Sequence, residues 1–272
     1  MMKYLIRIAF LIAFVMPFYA QAGWLINGRI IDREGNTILK RYFIQDNVVK
    51  VEMFNLIYIC NLKTESIILV DPENLIYVQT TFNAFQTKMR EFKSERLRAL
   101  LELVPEDKKS EYEAIYRQQI EQQVILPEYG SDSLDISILS DNEKLLGHKA
   151  TKYKISENGR KKEEFIFTSE IDIRDHLDMN AFLKYIYLIE PQDNTIKYMA
   201  SDKYRETVKN GLVLRRFIYE DGYRSEWQVN ETVNKTIPSY EFGIPDLCKE
   251  VSLDKWINRK NDSEGQYYDD YE

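Results

Sequence analysis

Two histidines, His148 and His176, and two cysteines, Cys60 and Cys248, supply all the imidazole and thiol of this chain. Neither histidine sits in a metal-binding spacing. The sequence holds no H-E-x-x-H, no G-x-S-x-G, no paired C-x-x-C and no glycine-rich phosphate loop. Cysteine–histidine catalysis would require a thiol to meet an imidazole, and nothing local favours that meeting. The densest group of acids is Glu170, Asp172, Asp175 and Asp178 around His176. Such carboxylates can converge on Ca²⁺, but the calcium-loop spacing is missing. The cluster therefore reads as a solvated strand end with Asp178 capping the next helix. No catalytic residue, metal site or cofactor is assigned, and the expectation is a non-enzymatic protein.

A different chemistry is carried by a stripe of large apolar side chains. Phe82, Phe85, Met89, Phe92, Arg96, Ala99 and Leu103 recur at helical spacing, with Lys88, Arg90, Glu91, Lys93 and Glu95 mostly elsewhere on the helix. Aromatic and methionine side chains adapt to irregular apolar ligands as readily as they fill a core. Both uses stay open. The candidate contacts to a hydrophobic ligand are Phe82, Phe85, Met89 and Phe92, with Tyr77 and Trp227 added from strands.

The elements that must position these residues follow from periodicity. Trp24 to Ile31 reads as a first strand, closed by a polar turn at 32–36. From Arg41 to Thr80 come short β-branched runs separated by turns. Val49, Val51 and Met53 alternate with Lys50 and Glu52, and Asp71-Pro72-Glu73-Asn74 makes a turn before Leu75 to Thr80. Connections this short join only antiparallel neighbours, so the stretch is a meander. At Thr81, a plausible N-cap, the period changes to helical. Pro105 breaks the helix, and Glu106 to Gln123 forms a second. Strands return at Leu134–Leu139, Ala150–Ser156 and Glu163–Thr168, with Asn158-Gly159 as a hairpin turn. Leu177 to Ile189 reads as a short buried helix ended by Pro191. Leu214–Glu220 and Tyr223–Val233 then flank Asp221-Gly222. The fold class is α+β, with a helical hairpin inserted midway at residues 82–123.

The ends bound the location. Lys3 and Arg7 flank an apolar run from Ile8 to Phe18, followed by Ala20-Gln21-Ala22. This is the layout of a signal peptide over residues 1–22, with cleavage expected after Ala22 and the mature product periplasmic or secreted. Residues 23–256 would form one domain, and the acidic stretch 257–272 a disordered tail. The net charge is −7, with no basic cluster, which argues against nucleic acid as a partner. In an exported protein Cys60 and Cys248 are either one disulfide or two separate thiols, and spacing does not choose between them.

Taken together, the motifs resemble a known group. The meander carries "KVEMFN…SIILVDPENLIYVQ", the helical pair "ALLELVPEDKKSEYE", and the second half "LGHKATKYKISENGRKKEEFIF" and "NGLVLRRFIYEDGYRSEWQVNETVNKTIPSYEFGIP". The Asp71-Pro72 turn before Tyr77, Gly147 before Thr151-Lys152-Tyr153, Gly211 with Leu214-Arg215, and Ile237-Pro238 before Phe242 and Pro245 carry the likeness. In this order they resemble an uncharacterised family of exported bacterial proteins in the LolA-like superfamily of periplasmic lipoprotein carriers. The resemblance implies a curved antiparallel sheet forming an incomplete β-barrel under a helical lid. It also implies a hydrophobic small molecule or a lipoprotein acyl chain as ligand. No functional residue of the carriers maps onto a position here. The competing expectation is an envelope structural or stress-sensing protein with a filled core and a protein partner.

Overall fold

The computed structural model describes residues 22–32, 34–124, 134–189, 198–199, 201–220 and 223–258. The expected signal peptide up to residue 21, Pro191, the Asp221-Gly222 turn and the tail from residue 259 lie outside these residues.

Turn chemistry builds the first half of the sheet. Asp46-Asn47 and Phe54-Asn55 have positive φ at both positions (54° and 64°, 52° and 60°), the left-handed pair that tight hairpins need to match strand twist. They join β2 (Thr37–Gln45) to β3 (Val48–Met53) and β3 to β4 (Leu56–Asn61). The Asp71 carboxylate accepts from the Asn74 backbone N–H at 3.0 Å and thereby closes the turn between β5 (Ser66–Asp71) and β6 (Ile76–Thr81). In the second half, Leu146-Gly147 joins β7 (Leu134–Leu145) to β8 (His148–Glu157). Asn158-Gly159 joins β8 to β9 (Arg160–Thr168), again with φ positive throughout. β10 (Leu212–Glu220) and β11 (Tyr223–Lys235) follow.

One pairing makes these halves a single sheet. β1 (Gly23–Ile31) lies antiparallel to β2 on one side and to β11 on the other. The strand order is β12-β6-β5-β4-β3-β2-β1-β11-β10-β9-β8-β7, so among the described residues the sheet has twelve strands and is open, with β7 and β12 at its edges. The meander from β2 to β6 is antiparallel as read from the turns. The exception to an all-antiparallel sheet is β12 (Lys249–Glu250), which runs parallel to β6 at Ile76 and Tyr77. A parallel neighbour needs a long crossover. Residues 236–248 provide it, carrying the chain from β11 to the far edge.

α1 (Phe82–Glu102) starts where the stripe predicts, with the Thr81 hydroxyl accepting from the Ala84 N–H at 3.2 Å. Pro105 ends it, and a short 3₁₀ turn over Glu106–Lys108 leads into α2 (Lys109–Val124). α3 (Met179–Ile189) is capped by Asp178, whose carboxylate accepts from the Asn180 and Ala181 N–H groups. α4 (Asp202–Val208), capped by Ser201, is too short to carry a helical period in the sequence.

Alternation divides the sheet into two faces. Ile26, Ile44, Val49, Val51, Tyr58, Cys60, Ile67, Leu69, Val78, Leu214 and Val229 pack with Phe82, Phe85, Phe182, Tyr185 and Ile186 in the main core. This is the helix-bearing face. A second core forms where Tyr204 and Val208 of α4 meet Ile155, Phe165 and Phe167. On the opposite face the 236–248 segment approaches β3, with the Glu241 carboxylate 3.8 Å from the buried Lys50 ammonium. Trp256 and Ile257 are buried in the main core, so the packed domain runs one residue past its expected end. A full side chain such as Ile257 contributes about 1.5–3 kcal/mol by such burial.

Candidate functional site

The stripe divides along α1. Phe82 and Phe85 are 2 % and 7 % exposed and sit inside the main core, while Met89 and Phe92 are half-buried at its margin. From Phe82 an aromatic path crosses the helix-bearing face. Its ring lies 5.5 Å from Tyr185, Tyr185 lies 6.3 Å from Phe182, and Phe182 meets Tyr42 edge-on at 6.4 Å. Tyr42 in turn stacks on Trp227 at 6.3 Å and 16°. The offset-stacked and edge-to-face arrangements are those the ring quadrupoles favour. Two of the sequence candidates, Phe82 and Trp227, are thus joined by three residues that sequence reasoning did not single out. Phe182 and Tyr185 fall in a run legible only as a buried helix. Tyr42 lies on a strand whose partner β1 is assigned only by the fold.

Trp227 owes its position to a glycine. A Cβ at Gly28 would stand 2.2 Å from Cη2 and Cζ3 of Trp227, so the indole lies flat on bare backbone. The β1–β11 register also shifts between Asn27 and Gly28, a bulge that re-aims the neighbouring side chains. Gly28 further lines an open cleft of about 940 Å³ beyond the β3–β4 turn, with Lys40, Met53, Leu56, Leu39 and Phe54 around it. Gly28, Lys40, Met53 and Leu56 belong to the register positions of the helix-bearing face. Lys40 is 6 % exposed and holds its ammonium 5.3 Å from the Tyr42 ring centroid, a cation–π contact. The cleft's wall is mixed: Asn27, Arg41, Glu52, Asn55 and Glu73 line it beside Leu39, Met53, Phe54 and Leu56. It offers no nucleophile paired with a base.

The other candidates are placed as follows. Tyr77 pairs with Val70 across β5 and β6 and alternates with core Val78, so it belongs to the opposite face, away from the stripe. Cys60 is fully buried in the core, where burial pushes its thiol well above the usual range, and Cys248 is half-buried before β12. Both are free thiols. The acidic cluster separates into local pairings. Arg174 holds the Asp172 carboxyl down to about 2, Glu170 lies 3.0 Å from His148 Nδ1, and Asp178 caps α3. His176 is buried, and its carbonyl accepts from the Asn47 N–H at 2.9 Å. No group of three or more His, Cys, Asp or Glu side chains is placed to hold a metal ion among the described residues.

A buried charged network that periodicity did not reveal lies beneath α4. Arg216 Nε stands 2.8 Å from the Glu163 carboxylate, the two side chains being 8 % and 0 % exposed. Arg216 also donates to the Tyr204 hydroxyl and, at 3.2 Å, to Met199 Sδ. Burial raises the Tyr204 phenol to about 12. Its signal in the sequence is alternation broken by a charge: Glu163 occupies the same strand parity as Phe165 and Phe167.

No family model and no curated protein matches the chain. Among solved structures, an uncharacterized conserved protein from Thermus thermophilus aligns over 85 % of this chain and 90 % of its own, with a TM-score of 0.42 and 9 % identity. PNGF-II aligns over 87 % of this chain with a TM-score of 0.36 and 12 % identity; the chain spans 32 % of its length. What this chain is similar to is therefore distant in both sequence and shape, and the likenesses carry nothing about its activity.

Proposed function

We propose that the chain is an exported, non-enzymatic binding protein. It would hold a hydrophobic ligand, a lipid tail or lipoprotein acyl chain, between a sheet curved as an incomplete barrel and a helical hairpin acting as a lid. The observation that carries the reading is the aromatic path across the helix-bearing face from Phe82 of the hairpin to Trp227, with Met89 and Phe92 half-buried at the margin of the same core. Each buried acyl methylene would add about 0.8 kcal/mol of affinity. The half-buried Met89 and Phe92 are the stripe residues best suited to meet a ligand, because Phe82 and Phe85 already contact protein on all sides. Periplasmic or secreted location rests on the signal-peptide layout of residues 1–22.

The test is retention of a fluorescent fatty acid by the mature chain and by Met89→Asp and Phe92→Asp. The proposal expects probe binding in the parent and its loss in both variants, with circular dichroism unchanged. Equal binding by parent and variants removes the stripe from the site. A second reading, an envelope interaction protein with a filled core, is favoured by the burial of Phe82 and Phe85. It expects no probe binding and a stable protein partner in crosslinking.

A further inference from the structure

The sequence has no run of basic residues, but strand pairing gathers dispersed ones on the sheet face opposite the helices. Arg29, Gln228, Arg215, Ile166 and Lys152 stand side by side across β1, β11, β10, β9 and β8. The next row aligns Glu226, Phe217, Glu164 and Lys154. These residues alternate with Leu214 and Val229 of the main core and with Phe165 of the second, which fixes their face. Glu226 is shared by Arg215 at 2.7 Å and Arg224 at 3.1 Å, and Glu164 by Lys152 at 2.9 Å and Lys161 at 3.0 Å. Arg29 donates to the Gln228 side-chain oxygen at 3.2 Å. Neither Arg29 nor Lys154 has an ion-pair partner among the described residues. Six cations thus stand against two carboxylates, on a chain whose net charge is −7.

Depth gives this face its sign. The Glu226 and Glu164 side chains are 8 % and 13 % exposed, whereas Arg224 and Lys161 are 54 % and 42 % exposed, so the cations are what solvent meets. Aromatic rings hold them in place. The Arg215 and Arg224 guanidiniums lie 4.7 Å and 4.4 Å from the Phe217 centroid, and the Lys161 ammonium 3.9 Å from that of Tyr219. Phe217 is buried beneath its cations and has no open face on which a nucleic-acid base could stack. The rows cover four strand spacings, about 19 Å, which suits an extended anionic surface better than one small anion. At their end Leu39, 73 % exposed, is the cross-strand partner of Arg29. Phe54, 60 % exposed, lines the same cleft as Leu39. Its φ of 52° favours Gly or Asn, so the turn itself does not select a phenylalanine. Cations bordered by exposed apolar side chains match a lipid interface, where anionic headgroups lie over acyl chains. We propose that this face docks the protein on an anionic lipid surface, with the cations against the headgroups and Leu39 and Phe54 entering the acyl boundary. The surface lies on the other side of the sheet from the Phe82–Trp227 path and does not depend on what that path holds.

The test is cosedimentation of residues 23–272 with vesicles of phosphatidylcholine alone and of phosphatidylcholine mixed equally with phosphatidylglycerol. The expected result is binding to the mixed vesicles and little to the neutral ones. Each cation near an anionic surface strengthens binding about fivefold, so Lys154→Gln/Lys161→Gln/Arg224→Gln should bind the mixed vesicles about 100-fold more weakly. Glu164 keeps Lys152 and Glu226 keeps Arg215 in that variant, and a circular dichroism spectrum matching the parent shows that it folds. Leu39→Ser/Phe54→Ser leaves the charge unchanged and should weaken binding at least about tenfold through the lost apolar burial. A parent that ignores the mixed vesicles, or binds both kinds equally, overturns the proposal, as does a folded variant of either kind that binds like the parent. A parent that binds polyglutamate but not vesicles overturns it in favour of an acidic protein surface.

Discussion

Gly28→Ala is predicted to destabilise the protein by displacing Trp227. Alanine has the higher strand preference of the two and stiffens the unfolded chain, so on backbone grounds alone the substitution would be neutral or stabilising. The packing predicts the opposite sign. The new Cβ would stand 2.2 Å from two indole carbons and 2.8 Å from the Gln228 carbonyl oxygen, well inside ordinary contact distance for the ring. Overpacking of this kind costs about 1–3 kcal/mol. Because Trp227 stacks on Tyr42, its retreat also forfeits about 0.5–1.5 kcal/mol of ring–ring interaction. The sum is a loss of about 1.5–4.5 kcal/mol, read as a lower urea midpoint at unchanged slope. In a Trp227→Leu background the collision with the ring is gone and the 2.8 Å approach to the Gln228 carbonyl oxygen remains, so Gly28→Ala should then cost less than it does in the parent. Equal losses in both backgrounds would refute the argument, as would a Gly28→Ala variant as stable as the parent.

Other outcomes follow from the same geometry. Arg216→Met leaves the fully buried Glu163 carboxylate without its guanidinium and should cost about 3–5 kcal/mol, whereas Glu163→Leu/Arg216→Met should lie within about 2 kcal/mol of the parent. Additive single effects in denaturant unfolding would contradict that coupling. The Asp172 carboxyl titrates at about 2 in the fold against an ordinary 3.8, chiefly through its hydrogen bond to Arg174. Its contribution is therefore present above 3.8 and lost as pH falls toward 2. Asp172→Asn should lower the melting temperature at pH 7, with the gap from the parent closing as the pH is lowered through that window. The Tyr204 phenol, raised to about 12 from 10.0, has the opposite sign. Stability should fall as pH rises from 10 toward 12, and Tyr204→Phe should flatten that fall.

How far the fold was legible depended on the range of the interactions. Local signals state their geometry within a few residues. Asp71 and Asn74 at their turn, Asn158-Gly159 with positive φ, Thr81 as an N-cap, Pro105 as a break and Asp178 as a helix cap are all of this kind. The β1–β11 pairing was not legible, because Trp24 to Ile31 alternates equally well beside any strand. β12 escaped because two residues, Lys249 and Glu250, carry no periodicity. The stripe on α1 was legible as a face, but spacing does not say where the sheet beneath it stops. Phe85 is therefore core and Leu103 exposed within one pattern. Of the candidate site, Phe82 and Trp227 meet through Tyr42, Phe182 and Tyr185, a convergence of distant segments. Tyr77, chosen for its type, falls on the other face because strand parity decides placement.

The most direct measurement of the central claim is native mass spectrometry with lipid extraction on residues 23–272, purified gently from the source cell. The account predicts an amphiphile bound at close to one per chain, lost in Met89→Asp and Phe92→Asp variants that remain folded. A parent chain that is ligand-free under the same gentle handling, and that takes up no added fatty acid, would contradict it.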